Sequence, residues 1–172
     1  MVAPEIIAPY LLNNYVWELL KANTTMRSSD YNDMVPIVMS GQEPEIEQFN
    51  KPFLVYGYSE DTTPDLYAVR HGSLSYAVYS TVGGDVNTIL NKIRTAMEKH
   101  DETARSVNAY TSNIPAFVGL SFTTITVGYY EGPSPEETEG GRKAGVIILR
   151  YGYKADYDEQ VKIYDPVSGI WA

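Results

Sequence analysis

Between Gly83 and Tyr110, apolar residues recur at a helical spacing, and the rest of the chain is arranged around that stretch. Val86, Ile89, Leu90, Ile93, Ala96 and Met97 share one helix face, with Asn87, Asn91, Lys92, Arg94 and Glu98 mostly opposite. Gly83-Gly84 ends a strand-like run, and Asp85 is placed to cap the helix start with its carboxylate. His100-Asp101 reads as a break, after which Asp101 caps a second segment holding Ala104 and Val107. An amphipathic helix of this length is marginal alone in water, so its apolar stripe predicts a sheet beneath it.

The flanking patterns supply that sheet. Pro9 suits the first turn of a helix over residues 8–22, whose stripe is Leu11, Leu12, Tyr15, Val16, Leu19 and Leu20, with Asn23 as its stop. Val35 to Met39 reads as a short edge strand, because Pro36 cannot donate to a ladder. Phe53 to Tyr58 reads as a strand, and Leu66 to His71 as a shorter one. From Ser73 to Thr81 residues alternate, with Leu74, Tyr76, Val78 and Ser80 on one face of a central strand. Phe117 to Tyr130 is a long strand in which Gly119 and Gly128 mark a bulge or bend. Residues 131–143, with two prolines, three glycines and four glutamates, predict an exposed flexible tip, and Ala144 to Tyr153 returns antiparallel. The tail adds one strand around Val161, Ile163 and Tyr164, and its Ile170-Trp171 pair should dock on its own subunit or on a neighbour. The expected fold is α+β: an antiparallel β-sheet with two main helices packed on one face, and a long β-hairpin. It forms a single domain over residues 1–172, with a short arm (1–7) and a C-terminal tail (155–172).

Composition changes the picture in three ways. Fifteen tyrosines against four phenylalanines point to part-exposed strand faces or to tyrosine-rich subunit contacts. A net charge of −9 without a basic cluster argues against general nucleic-acid binding, while an acidic surface suits a protein past which DNA slides. No cysteine means no disulfide frame and no thiolate chemistry. The opening MVAPEIIAPY has no leader pattern and no apolar run reaches ~20 residues, which predicts a protein kept in a reducing cytoplasm or assembled into a particle there.

Catalytic patterns are sparse. His71 reads as a turn residue at a strand entrance, and His100 as a helix-end residue facing a favourable dipole, rather than as ligands. Gly83-Gly84 lacks the Lys-Ser/Thr of a phosphate loop. Ser75, Ser80 and Ser121 lack a nucleophile-elbow context. The pairs Glu98/Asp101 and Asp156/Asp158 read as solvated acids before a proton-sharing pair. No catalytic residue, cofactor or metal site is expected.

Several stretches carry a family resemblance. PFLVYGYS, SLSYAVYST, GGDVNTILNKIRTAMEKHDETARSVNAY and a hairpin tipped by EGPSPEETEGGRKAG together resemble tail terminator (neck) proteins of contractile-tailed bacteriophages. The run from Tyr76 through Asn108 is the most similar part, ending in a D-x-x-A-x-x-x-N pattern at Asp101, Ala104 and Asn108; the resemblance spans roughly residues 50–155. It implies a structural virion protein at the tail neck that forms a hexameric ring on the last ring of the tail tube and ends tube polymerisation. Partners would be the tail tube protein, the tail sheath protein and the head–tail connector or adaptor, with DNA passing through the lumen unbound and no membrane involved. Under that reading the tip residues Glu136, Glu137, Glu139, Arg142 and Lys143 contact the tube or a neighbouring subunit, and Tyr164, Ile170 and Trp171 anchor the tail on a neighbour. A head–tail joining or completion protein is the alternative within the same class, and a small-ligand-binding α+β module is the alternative outside it.

Overall fold

The structure, a computed structural model, describes residues 8–23, 26–27, 34–41, 51–61, 63–99, 101–111, 120–133, 141–155 and 164–171. The elements are α1 (Ala8–Lys21), β1 (Ile37–Met39), β2 (Phe53–Glu60), β3 (Arg70–Ser80), α2 (Gly83–Met97), α3 (Asp101–Thr111), β4 (Leu120–Glu131), β5 (Lys143–Ala155), β6 (Tyr164–Asp165) and β7 (Ile170–Trp171). Strands β1 to β5 form one sheet in the order β1-β2-β3-β5-β4, and β6-β7 form a separate two-stranded hairpin. The fold is α+β, as the patterning predicts, and β3 is the central strand.

Four details differ from the expectation. Strand β1 runs parallel to β2, so the sheet is mixed at that edge; residues 40–52 supply the connection of about a dozen residues that a parallel return needs. Leu66 to Ala68 form a turn, and the strand begins only at Arg70. The break before Asp101 is complete, so three helices rather than two cover the sheet. Buried Thr103 ties the break: its hydroxyl accepts from the Lys99 N–H (3.2 Å) and donates to the Ala96 carbonyl (3.1 Å). Asp85 lies in the first turn of α2, where its charge favours the helix N-terminus, but the N-cap is Val82, which makes no side-chain cap bond.

The helices share one sheet face. There β3 contributes Leu74, Tyr76, Val78 and Ser80, which are all buried, as the alternation predicts. The register sets Leu54 against Val78, Leu74 against Leu149, and Tyr151 against Ile125 on that same face. Helix α2 brings down Val86, Ile89, Leu90, Ile93 and Met97, all buried. It comes so close to β5 that a Cβ at Gly145 would lie 2.5 Å from Leu90 Cδ1 and 3.0 Å from Val86 Cγ1. Helix α1 is keyed to the sheet by a buried polar bond, Tyr76 Oη donating to Asn13 Oδ1 at 2.6 Å. Helix α3 is fixed to the edge strand by Asn108: Phe122 N–H donates to its Oδ1 and its Nδ2 donates to Phe122 O, both at 2.8 Å. A side-chain amide thus stands where a neighbouring strand would pair, which blunts an otherwise open edge. Two irregularities in the β4–β5 pairing, between Phe122 and Thr124 and between Val127 and Tyr129, bend the same strand; the second falls at Gly128, where a bulge is expected.

Candidate assembly surfaces

Chemistry-bearing side chains gather at the β2–β3 end of the sheet. An open cleft of about 660 Å³ there is lined in part by Ser59, Glu60, Asp61, His71, Ser73 and Arg150. Several of its groups are tied to other side chains. Ser59 Oγ and Ser73 Oγ lie 3.1 Å apart, and His71 Nε2 is 2.9 Å from Asp65 Oδ2. Glu60 receives two buried phenols, Tyr151 Oη at 2.8 Å and Tyr153 Oη at 2.9 Å. Burial, then the Glu60 hydrogen bond, pushes the Tyr151 phenol far above its ordinary value, so it stays a donor. Tyr151 reaches Glu60 across Gly72, where any Cβ would meet its hydroxyl at 2.5 Å. This geometry braces strands, and among the described residues of the cleft no nucleophile is paired with a base. Among the described residues no group of three or more His, Asp or Glu is placed to hold a metal, and no helix is long and apolar enough to cross a membrane.

The loop between β2 and β3 is organised by one carboxylate. Asp65 Oδ1 accepts from Tyr67 N–H (2.8 Å) and Val69 N–H (3.0 Å), while Oδ2 holds His71. The His71 bond, then the two amides, holds the Asp65 carboxyl below its ordinary range. Backbone bonds from Asp65 N to Val69 O and from Ala68 N to Asp65 O close the turn. Ala68 sits at φ +60°, a left-handed conformation that an L-residue with a Cβ adopts at a cost of roughly 1–2 kcal/mol. The loop spends this strain to hold Leu66 and Tyr67 outward, 99% and 79% exposed.

A second surface lies where the helices leave the β1–β2 side of the sheet uncovered. Tyr10 of α1, Met39 of β1 and Tyr58 of β2 are exposed there, beside half-buried Tyr56. Burial, then nearby Tyr58 and Tyr10, pushes the Tyr56 phenol up from its ordinary value. On the opposite sheet face Phe53 and Val55 form a small buried cluster with Val38 and Tyr79.

The residues singled out in the sequence are scattered. Arg142 is not on an exposed tip: it is 3% exposed, with its guanidinium 5.5 Å from the centre of the Phe53 ring. It stands just before β5 begins pairing, and its burial lowers its pKa from the ordinary value. Lys143 is half-buried and pairs in register with Ser80. Glu136, Glu137 and Glu139, together with the arm 1–7 and His100, lie outside the described residues. In the tail, Tyr164 pairs in register with Trp171, and both side chains lie outside the description. Ile170 is 61% exposed on a hairpin whose turn Asp165 organises by accepting from Val167 N–H and Ser168 Oγ. Leu66 and Tyr67 were hidden in the sequence by their resemblance to a strand, although Thr63-Pro64-Asp65 just before them carries turn chemistry. The tyrosine excess was the only sign of the Tyr10–Tyr58 surface.

Neither a protein-family model nor a curated protein matches this chain.

Proposed function

We propose that this chain is a structural virion protein: a ring that caps the head-proximal end of a phage tail tube, ends tube polymerisation and meets the head connector. The observation that carries the reading is the pairing of a braced body with fixed, outward apolar elements. Leu66, Tyr67 and Val167 stand on turns locked by Asp65 and Asp165, with Ile170 on the adjoining strand, and all four are mostly exposed. Such elements suit protein contact, where aromatic anchors dominate binding. The likeness in wording from Tyr76 to Asn108 supports the same reading. A net charge of −9 suits a lumen through which DNA slides. In this reading the tip carrying Glu136, Glu137 and Glu139 meets the tube or a neighbour, and the β6–β7 hairpin docks on an adjacent subunit.

The test is to add the purified chain to polymerising tail-tube subunits of the same virus and image the products. Short tubes carrying the chain at one end are expected, and deletion of residues 133–140 should weaken that capping. Tubes that lengthen unhindered and carry no chain sink the proposal. Binding to the portal or adaptor in place of the tube transfers the chain to the head–tail joining class.

A further inference from the structure

We propose that the β2–β3 loop of one copy docks, through Leu66 and Tyr67, on the Tyr10–Met39–Tyr58 surface of a second copy. This deepens the ring reading and rests on it. A Leu that is 99% exposed beside a Tyr that is 79% exposed is not by itself a site on a floppy loop. Here the loop is held by three bonds to one carboxylate and by a left-handed Ala68, so its backbone needs little further ordering on docking. Backbone strain of this kind persists only where the surroundings enforce it.

The occupant follows from matched chemistry. The docking loop is an apolar knob with the exposed Asp61 carboxylate at its base. The receiving surface is apolar, with the hydroxyls of exposed Tyr58 and half-buried Tyr56 at its rim as hydrogen-bond donors. Tyrosine-to-carboxylate bonding is already the chain's own joining device, at Tyr151–Glu60, Tyr153–Glu60 and Tyr129–Glu131, with distances of 2.8 to 2.9 Å. Acidic rim and phenolic rim are complementary without any basic side chain, which allows a strongly acidic chain to meet itself. The two surfaces differ, so the contact is head-to-tail, and repeated head-to-tail contacts close into rings when the rotation permits.

The chain has no cysteine, which makes the test direct. Leu66→Cys and Met39→Cys proteins, carrying different affinity tags, are mixed and oxidised. A disulfide joining the two variants is expected, with little linkage of either variant to itself. Leu66→Ser/Tyr67→Ser is measured beside them. Its self-association should weaken at least about 100-fold, with an unchanged unfolding midpoint at concentrations where both proteins are monomeric, because both side chains are mostly in solvent there. Rings that form without the mixed disulfide, Leu66→Cys proteins that link chiefly to one another, or a double-serine variant that assembles normally each overturn the inference. Outcomes for the two claims separate. A ring that caps tubes without the mixed disulfide removes this contact alone. Self-association through it without tube capping removes the tail reading alone. A chain that stays monomeric even on tubes removes both.

Discussion

Replacing Asn108 with alanine removes both hydrogen bonds that clamp α3 to the edge strand β4. Phe122 is 4% exposed, so its N–H and C=O lose partners where water has little access. Each orphaned backbone group costs about 1–3 kcal/mol. Alanine returns up to about 0.7 kcal/mol through its better helix propensity. The net expectation is a loss of about 1–5 kcal/mol. With a urea dependence of about 2 kcal/mol/M, the unfolding midpoint falls by about 0.5–2.5 M. Asn108→Asp separates the two bonds: it can still accept from Phe122 N–H but sets an oxygen against Phe122 O, so it should be no more stable than the alanine variant. Equilibrium urea unfolding followed by circular dichroism measures both. A midpoint that stays level or rises for Asn108→Ala refutes the clamp, because the helix-propensity gain alone raises it by up to about 0.3 M.

Gly145→Val sets side-chain carbon against Leu90 and Val86 and should destabilise by about 1–3 kcal/mol; the Leu90→Ala partner should recover part of the loss in a thermal-unfolding double-mutant cycle. Tyr76 is buried with its pKa raised well above the ordinary 10.0, so its contribution is complete below pH 10.0 and is lost as pH rises above it. Unfolding free energy should fall by about 1.4 kcal/mol per pH unit from this group, and Tyr76→Phe should flatten that slope in urea titrations. Asp65 is held below its ordinary 3.8, so its bonds persist above that pH and weaken as pH falls through the lower folded value. Asp65→Ala should release the Tyr67 and Val69 amides to fast hydrogen exchange at neutral pH, whereas protection as in the parent chain would dissociate the loop from this carboxylate.

The legible parts of the fold are those where one period dominates. The two-residue alternation of β3 and the helical stripe of α2 each follow from a face that must be buried. Strand direction leaves no such trace: Ile37 to Met39 read the same either way, and only the length of the following connection admits a parallel partner. Arg142 was misplaced because composition treats residues 131–143 as one solvated tip, whereas pairing resumes within that stretch and turns the guanidinium onto Phe53. Leu66 to His71 looked β-prone, yet a single Asp65 side chain satisfies two amides locally and makes a turn more favourable than a ladder. Asp101, Ala104 and Asn108 stand out in the sequence only as a spaced D-x-x-A-x-x-x-N pattern. The structure gives two of them structural work: Ala104 is buried in the core, and Asn108 is the strand-edge clamp. Of the candidate surfaces, exposed Ile170 belongs to a pair the sequence singles out, whereas the Tyr10–Tyr58 surface is legible only as an excess of tyrosine, because composition counts residues without placing them.

The most direct test of the central claim is the native mass of the purified chain, measured alone and after incubation with tail-tube subunits. The account predicts a closed ring of six chain masses, alone or seated on a tube end. A species that remains a single chain mass under both conditions contradicts it.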